Sequence, residues 1–345
     1  MMNRDRNAQV EPISPDALQP IPEASRISGT RRFRTISPGM VAWILACVFA
    51  VTPAHAQLAT QHIKGLVGLK AGTQPPPNVY FIAPVLYRYS TDTVKNREGQ
   101  RVPIDVNLTS SAFGGGVNVV TNKKILGGNY GFQALFPLGA NNRIQATEID
   151  ANPGAGLTDS GFVPISLGWH FKRADAIASY SIFAPTGRYT DGANDNTGFG
   201  MWGQEVAFGT TFYLNESKQY HASTIASVTF QTEKEDSDTK VGTAMNLEGG
   251  FGADFLKGGL TAGLNYYSSF KLTQDRLAGF PVNVGPAKSR VFALGPEAQL
   301  ALARKDTLYG FVKVNYQWEV YARTTTQGGE LSILATFLMK PLKLP

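Results

Sequence analysis

Between residues 312 and 320 apolar and polar side chains alternate one for one. Val312, Val314, Tyr316, Trp318 and Val320 occupy one set of positions, and Lys313, Asn315, Gln317 and Glu319 the other. Successive side chains of an extended chain point to opposite faces, so this segment reads as a strand with one oily and one wet surface. The pattern recurs at 243–255, where Met245, Leu247, Phe251 and Phe255 oppose Asn246, Glu248 and Asp254. It recurs again at 259–272 and at 290–302. With less regular segments included, strands are predicted near 79–89, 102–109, 112–121, 127–138, 142–150, 162–172, 174–184, 201–213, 219–232, 243–256, 259–273, 289–303, 307–321 and 329–340. That is about fourteen, or twelve if 102–121 is one long bent strand and the register is redrawn.

A soluble β-sandwich also alternates, but the connections favour a different closure. Short turns are expected near 139–142, 172–175, 215–218, 257–258 and 304–306, with longer polar loops between them near 90–101, 151–161, 185–200, 233–241, 274–288 and 322–328. Short turns at one end and long loops at the other are the arrangement of an outer-membrane barrel. No run of about 18 apolar residues follows residue 56, which excludes helical spans. Lipid cannot satisfy an open sheet edge, so a spanning structure built of strands must close on itself. The expected fold is all-β, a transmembrane antiparallel barrel over residues 79–345.

Composition and the N-terminus sharpen this picture. Charged residues are 17% of the chain, below the roughly 25% usual in soluble proteins. A basic run at Arg31, Arg32 and Arg34 precedes an apolar stretch from Met40 to Val51 and the small-x-small ending Ala54-His55-Ala56. These features predict an export leader over 1–56, with an unusually long first region. An alternative start at Met40 shortens it. A lipobox at Ile44–Cys47 would leave too little apolar core, and the surroundings of Arg31-Arg32 fit a twin-arginine signal poorly. The leader holds six Arg against four acids, leaving a net charge of about +4 on the remainder, and it takes the only Cys with it. Disulfides and thiolate metal sites are thereby excluded, and the unclustered positive charge argues against nucleic acid as a partner.

Candidate chemistry is sparse. Glu205, Glu248, Asp254, Glu297 and Glu319 are expected to face the lumen together with Lys271, Lys313 and Arg323, where opposite charges would cross-link and narrow it. Residues 57–78 contain Pro75-Pro76-Pro77, which cannot join the middle of a sheet. The segment is expected either inside the barrel as a plug or as a loose periplasmic tail. In the loop 185–198, Asp191, Asn194, Asp195 and Asn196 are oxygen donors, but their spacing matches no calcium loop, and turn formation explains them. Arg188, Tyr189 and Asp191 of that loop, with Trp202, form the candidate external access site. His62, His170 and His221 have no partners at catalytic or metal-ligand spacing, and no Gly-x-Ser-x-Gly, His-Glu-x-x-His or phosphate loop occurs. No enzyme, cofactor or metal site is expected.

Several segments resemble a known family. They are Gly68-Leu-Lys-Ala-Gly-Thr-Gln-Pro-Pro-Pro77, Leu167-Gly-Trp-His-Phe171, Ala184-Pro-Thr-Gly-Arg-Tyr189, Asn196-Thr-Gly-Phe-Gly-Met-Trp202, Leu247-Glu-Gly-Gly250 and Leu294-Gly-Pro-Glu297. Taken in order they are similar to the outer-membrane proteins of the meta-pathway of phenol degradation. The resemblance implies a barrel that passively admits hydrophobic small molecules, aromatic ones included, with outer-membrane lipids and the barrel-assembly machinery as its other partners. A general porin and a structural or adhesion barrel are the alternatives.

Overall fold

The computed structural model describes residues 59–146, 149–277, 280–281 and 288–343, with side chains at all but a few of these positions. The leader expected over 1–56 lies outside the described residues. Twelve long strands close into a ring. In chain order they are β1 (Asn78–Thr91), β2 (Val106–Ile125), β3 (Gly128–Ala146), β4 (Ser160–His170), β5 (Ala174–Ala184) and β6 (Gly203–Tyr213). The remainder are β7 (Tyr220–Gln231), β8 (Ala244–Phe255), β9 (Leu260–Lys271), β10 (Arg290–Arg304), β11 (Thr307–Arg323) and β12 (Gly329–Lys343). Each pairs antiparallel with its neighbours in sequence, and β1 closes the ring on β12, with Tyr80 opposite Leu338 and Tyr89 opposite Glu330.

Twelve is the lower of the two counts the alternation allows. The segments 102–109 and 112–121 belong to the single strand β2, and β3 runs through 139–142, where a turn was expected. Gly139-Ala-Asn-Asn142 has turn-forming residues, but β2 on one side and the added strand Ile149–Leu157 on the other hold it extended. The irregularity is taken up as register shifts at Thr109/Ser111 and Gly139/Asn142. Tertiary pairing overrides local propensity here.

The strands bury their polar side. In β6 Gln204, Val206, Phe208 and Phe212 are exposed, while Glu205, Ala207, Thr211 and Tyr213 are buried. In β11, Lys313, Asn315, Gln317 and Glu319 are buried, and Val314, Tyr316, Trp318 and Val320 are exposed. A water-soluble domain sorts its residues the other way. An apolar outside and a polar inside match a lipid-embedded barrel. Short turns at 126–127, 171–173, 214–219, 256–259 and 305–306 mark one end of the barrel. Longer connections, the longest running from β5 to β6 and from β9 to β10, mark the other.

Candidate functional site

A ring of twelve strands is wider than side chains alone can fill; about eight strands is the size at which they do so. Here the space is occupied by main chain. Residues 59–77 form no strand, and their sequence explains why. Gly65 and Gly68 adopt left-handed φ values of +79° and +70°, a region that favours glycine. Pro75, Pro76 and Pro77 offer no N–H to a ladder.

The segment descends the lumen from the long-loop end to the short-turn end. At the loop end the Gln61 amide donates to Asp159 at 3.0 Å. Next, the two ring nitrogens of His62 lie 2.7 Å from Glu205 of β6 and 2.7 Å from Glu248 of β8. A neutral imidazole has one N–H, so donating to both carboxylates requires the imidazolium. Burial lowers the pKa of His62, but the two carboxylates more than offset it and hold the pKa at about 10. Midway down, the Asn315 amide donates to the Gly65 carbonyl at 3.0 Å, and the Lys313 ammonium donates to the carbonyls of Leu66 and Val67. The Leu69 amide donates to Glu297 at 3.1 Å, and Lys70 pairs with Asp254 at 2.6 Å. At the turn end the Gly72 amide donates to Thr211 at 3.0 Å and the Thr73 hydroxyl to Asp175 at 3.0 Å.

These contacts rewrite the charge network expected from sequence. Glu205, Glu248, Asp254 and Glu297 point inward, but they meet groups of the threaded segment rather than lysines of the opposite wall. Glu319 accepts from the Tyr89 and Tyr267 hydroxyls, each at 2.8 Å, and from the Gly328 amide. Lys271 is buried but pairs with Asp275 in the loop that follows it. Arg323 departs from the expectation. The ladder between β10 and β11 slips at Phe292/Ala293, which inverts the alternation beyond Val320, so Ala322 is buried and Arg323 lies exposed over the Tyr321 ring. His62, read from sequence as a polar residue without a partner, has two, supplied by strands 143 and 186 residues away.

The other half of the lumen is apolar. Ile82 and Val85 of β1, Leu135 of β3, Val163 of β4, Phe183 of β5 and Leu334 of β12 line a cavity of about 370 Å³ between the wall and the threaded segment. Polar groups touch it at the edge formed by Gln61, His62, Asp159, Glu205 and Ser181. An apolar cavity of about 150 Å³ is enough for benzene, so this one has room for a substituted ring. Sequence reasoning predicted these strands but not the cavity, because segments such as Leu135-Phe136-Pro137 are apolar on both faces and do not say which face turns inward.

The loop from β5 to β6 splits the proposed access residues. The Arg188 guanidinium pairs with Asp195 at 3.1 Å, and the Tyr189 hydroxyl donates to Asp191 at 3.2 Å, beneath the Lys234 ammonium. Asn196 ties the loop to Thr190 in both directions at 2.8 Å, which gives the oxygen-rich stretch a structural job. Trp202 is not part of this cluster. It shares the parity of Val206 and Phe208 and is half exposed on the outer face, as in an aromatic girdle.

Comparison with known proteins agrees with this architecture. An outer-membrane channel from Pseudomonas putida F1 superposes with a TM-score of 0.65 at 13% identity, covering 78% of this chain and 97% of that one. The β-domain of the Bordetella autotransporter BrkA gives 0.39 at 12% identity over 75% and 98% of the two chains. Vibrio cholerae OmpT lacking its loop L8 gives 0.36 at 7% over 76% and 98%. No curated protein matches by sequence. The profile of the family described as "Putative MetA-pathway of phenol degradation" matches residues 91–334, and the chain belongs to that family.

Proposed function

We propose that the protein is a passive outer-membrane channel for hydrophobic small molecules, aromatic ones included, reached after export by the leader at 1–56 and insertion by the barrel-assembly machinery. The observation that carries this reading is the division of the lumen. One half binds the threaded segment through charges and hydrogen bonds, and the other leaves an apolar cavity beside it. Residues 59–77 act as a plug. A polar solute that displaced it would have to compete with buried ion pairs, whereas an apolar solute gains by burial next to Leu135 and Phe183. A ring bearing one hydroxyl suits the site best, because the polar edge at His62 and Glu205 offers a hydrogen-bond partner. The reading is of transport rather than catalysis.

A general porin would conduct ions freely, and a structural barrel would show no transport defect on deletion. The deciding experiment measures uptake of a labelled alkylphenol and of a sugar of similar size by cells lacking the protein and by cells re-expressing it. Selective loss and restoration of alkylphenol uptake is expected; unchanged uptake of both would reject the reading.

A further inference from the structure

The two ends of the barrel treat their charges differently. At the long-loop end exposed cations are paired: Arg101 with Asp92, Arg143 with Asp150, Arg188 with Asp195 and Arg276 with Glu233. At the short-turn end Lys124, Lys172, Arg173, Lys257, Arg304 and Lys305 are exposed. None of these six forms an ion pair with a carboxylate among the described residues. Arg173 donates to the Leu214 carbonyl at 3.0 Å, which leaves its charge uncompensated. The exposed acids at this end are Glu216 and Asp306, so the rim is positive overall.

The same rim carries apolar side chains at its tips. Leu126 and Leu256 sit at φ +50° and +52°, in the left-handed region that favours glycine, and are 86% and 77% exposed. Phe171 and Leu214 stand exposed at two other turns. Directly behind the turns, Phe212, Tyr220 and Phe255 are exposed on the outer face. The Trp169 indole lies over Gly128 and donates to the Leu126 carbonyl at 3.0 Å. Aromatic residues in this position mark the boundary between hydrocarbon and water. The cations just beyond them stand at the depth of the lipid phosphates, where Lys and Arg stems lie along apolar surface and their heads reach the charge.

We propose that the short-turn rim is a binding collar for phospholipids with anionic headgroups in the leaflet that faces the periplasm. Its chemistry is complementary to such a lipid twice over. Unpaired ammonium and guanidinium groups meet the phosphate and the net negative charge, and the exposed leucines and aromatics meet the region beneath it. The distribution of the charge favours lipid over an acidic protein. The cations lie at four turns around the circumference, so a single protein touching all of them has to cap the mouth of the lumen, whereas annular lipids meet each turn separately. The collar is independent of what the lumen transports.

The test uses the tryptophans as reporters of the two ends. The chain has four, Trp43, Trp169, Trp202 and Trp318. One variant keeps Trp169 alone, beside the collar, and another keeps Trp318 alone, exposed on the outer face toward the long loops, the others being replaced by Phe. Each is reconstituted in vesicles, and its fluorescence is quenched with phosphatidylglycerol or phosphatidylcholine brominated on the acyl chains. At low salt Trp169 is expected to report a preference for phosphatidylglycerol of about threefold or more, and Trp318 about none. Roughly 1 M salt should abolish the preference by screening. So should Lys124→Gln/Lys172→Gln, two exposed side chains without a hydrogen bond or ion pair among the described residues. Equal affinity for the two lipids at Trp169, or the same preference at both reporters, overturns the collar. A preference at Trp169 that survives both salt and the double variant overturns it as well. Salt-sensitive binding of poly-glutamate without any lipid preference assigns the rim to an acidic polymer and rejects the lipid.

Discussion

Two residues of the threaded segment set how firmly it is held. His62 bridges Glu205 and Glu248 through both ring nitrogens, and Gly68, at φ +70°, leaves no space for a Cβ beside the Glu297 carboxylate. Removing one partner of a buried ion pair typically costs about 3–5 kcal/mol because the remaining charge is stranded. His62→Ala is therefore expected to unseat the segment, read as a rise in single-channel conductance in planar bilayers. Over the range in which Glu205 and Glu248 stay ionised, the wild-type seat should weaken as pH rises. With the pKa raised from 6.5 to about 10, the stabilisation is complete below pH 6.5 and is lost as pH rises through 10. Conductance should climb in the wild type as pH rises above 6.5, and should lack this climb in His62→Ala. Gly68→Ala should also raise conductance. Gly192→Ala, at φ +74° in the loop with open space around it, should cost roughly 1 kcal/mol of local strain and leave conductance unchanged. Identical behaviour of the two glycine variants would show that the Glu297 contact is unimportant. The partners of His62 were not legible in the sequence, since nothing in a list of residues says which distant Glu will face it.

At the scale of elements, legibility followed the chemistry of each strand. β6, β8, β9 and β11 separate a wet from an oily surface, and their alternation already identified Glu205, Glu248 and Lys313 as inward. β2 and β3 were harder. Glycine triplets, the Gly139–Asn142 stretch and in-strand prolines mimic turns, and only pairing on both sides keeps them extended. The slip that moved Arg323 outward is likewise a property of two strands together. The threaded segment is separable from the barrel because it contributes no strand to the ring. Deletion of residues 59–74 is therefore expected to leave a barrel that still resists unfolding in cold detergent gels. Its conductance should be larger and its discrimination between alkylphenol and sugar lost. A deletion variant that keeps wild-type conductance would deny the segment its role as the plug.

For the whole molecule, the arrangement is a barrel with two unlike inner walls and a strap between them. The wall from β6 to β11 supplies most of the strap's charged and hydrogen-bonding partners, while Ile82, Val85, Leu135, Val163, Phe183 and Leu334 on the other side leave the apolar cavity. Selectivity for apolar solutes then follows from which side of the strap is available. The most direct measurement is to soak crystals of the protein with a bromine-labelled alkylphenol and locate the bromine by anomalous scattering. The account predicts a peak in the cavity between Ile82, Val85, Leu135 and Phe183, with the phenol hydroxyl toward His62 and Glu205. A peak on the polar wall beside Asn315 and Glu319, with the apolar cavity unoccupied, would contradict it.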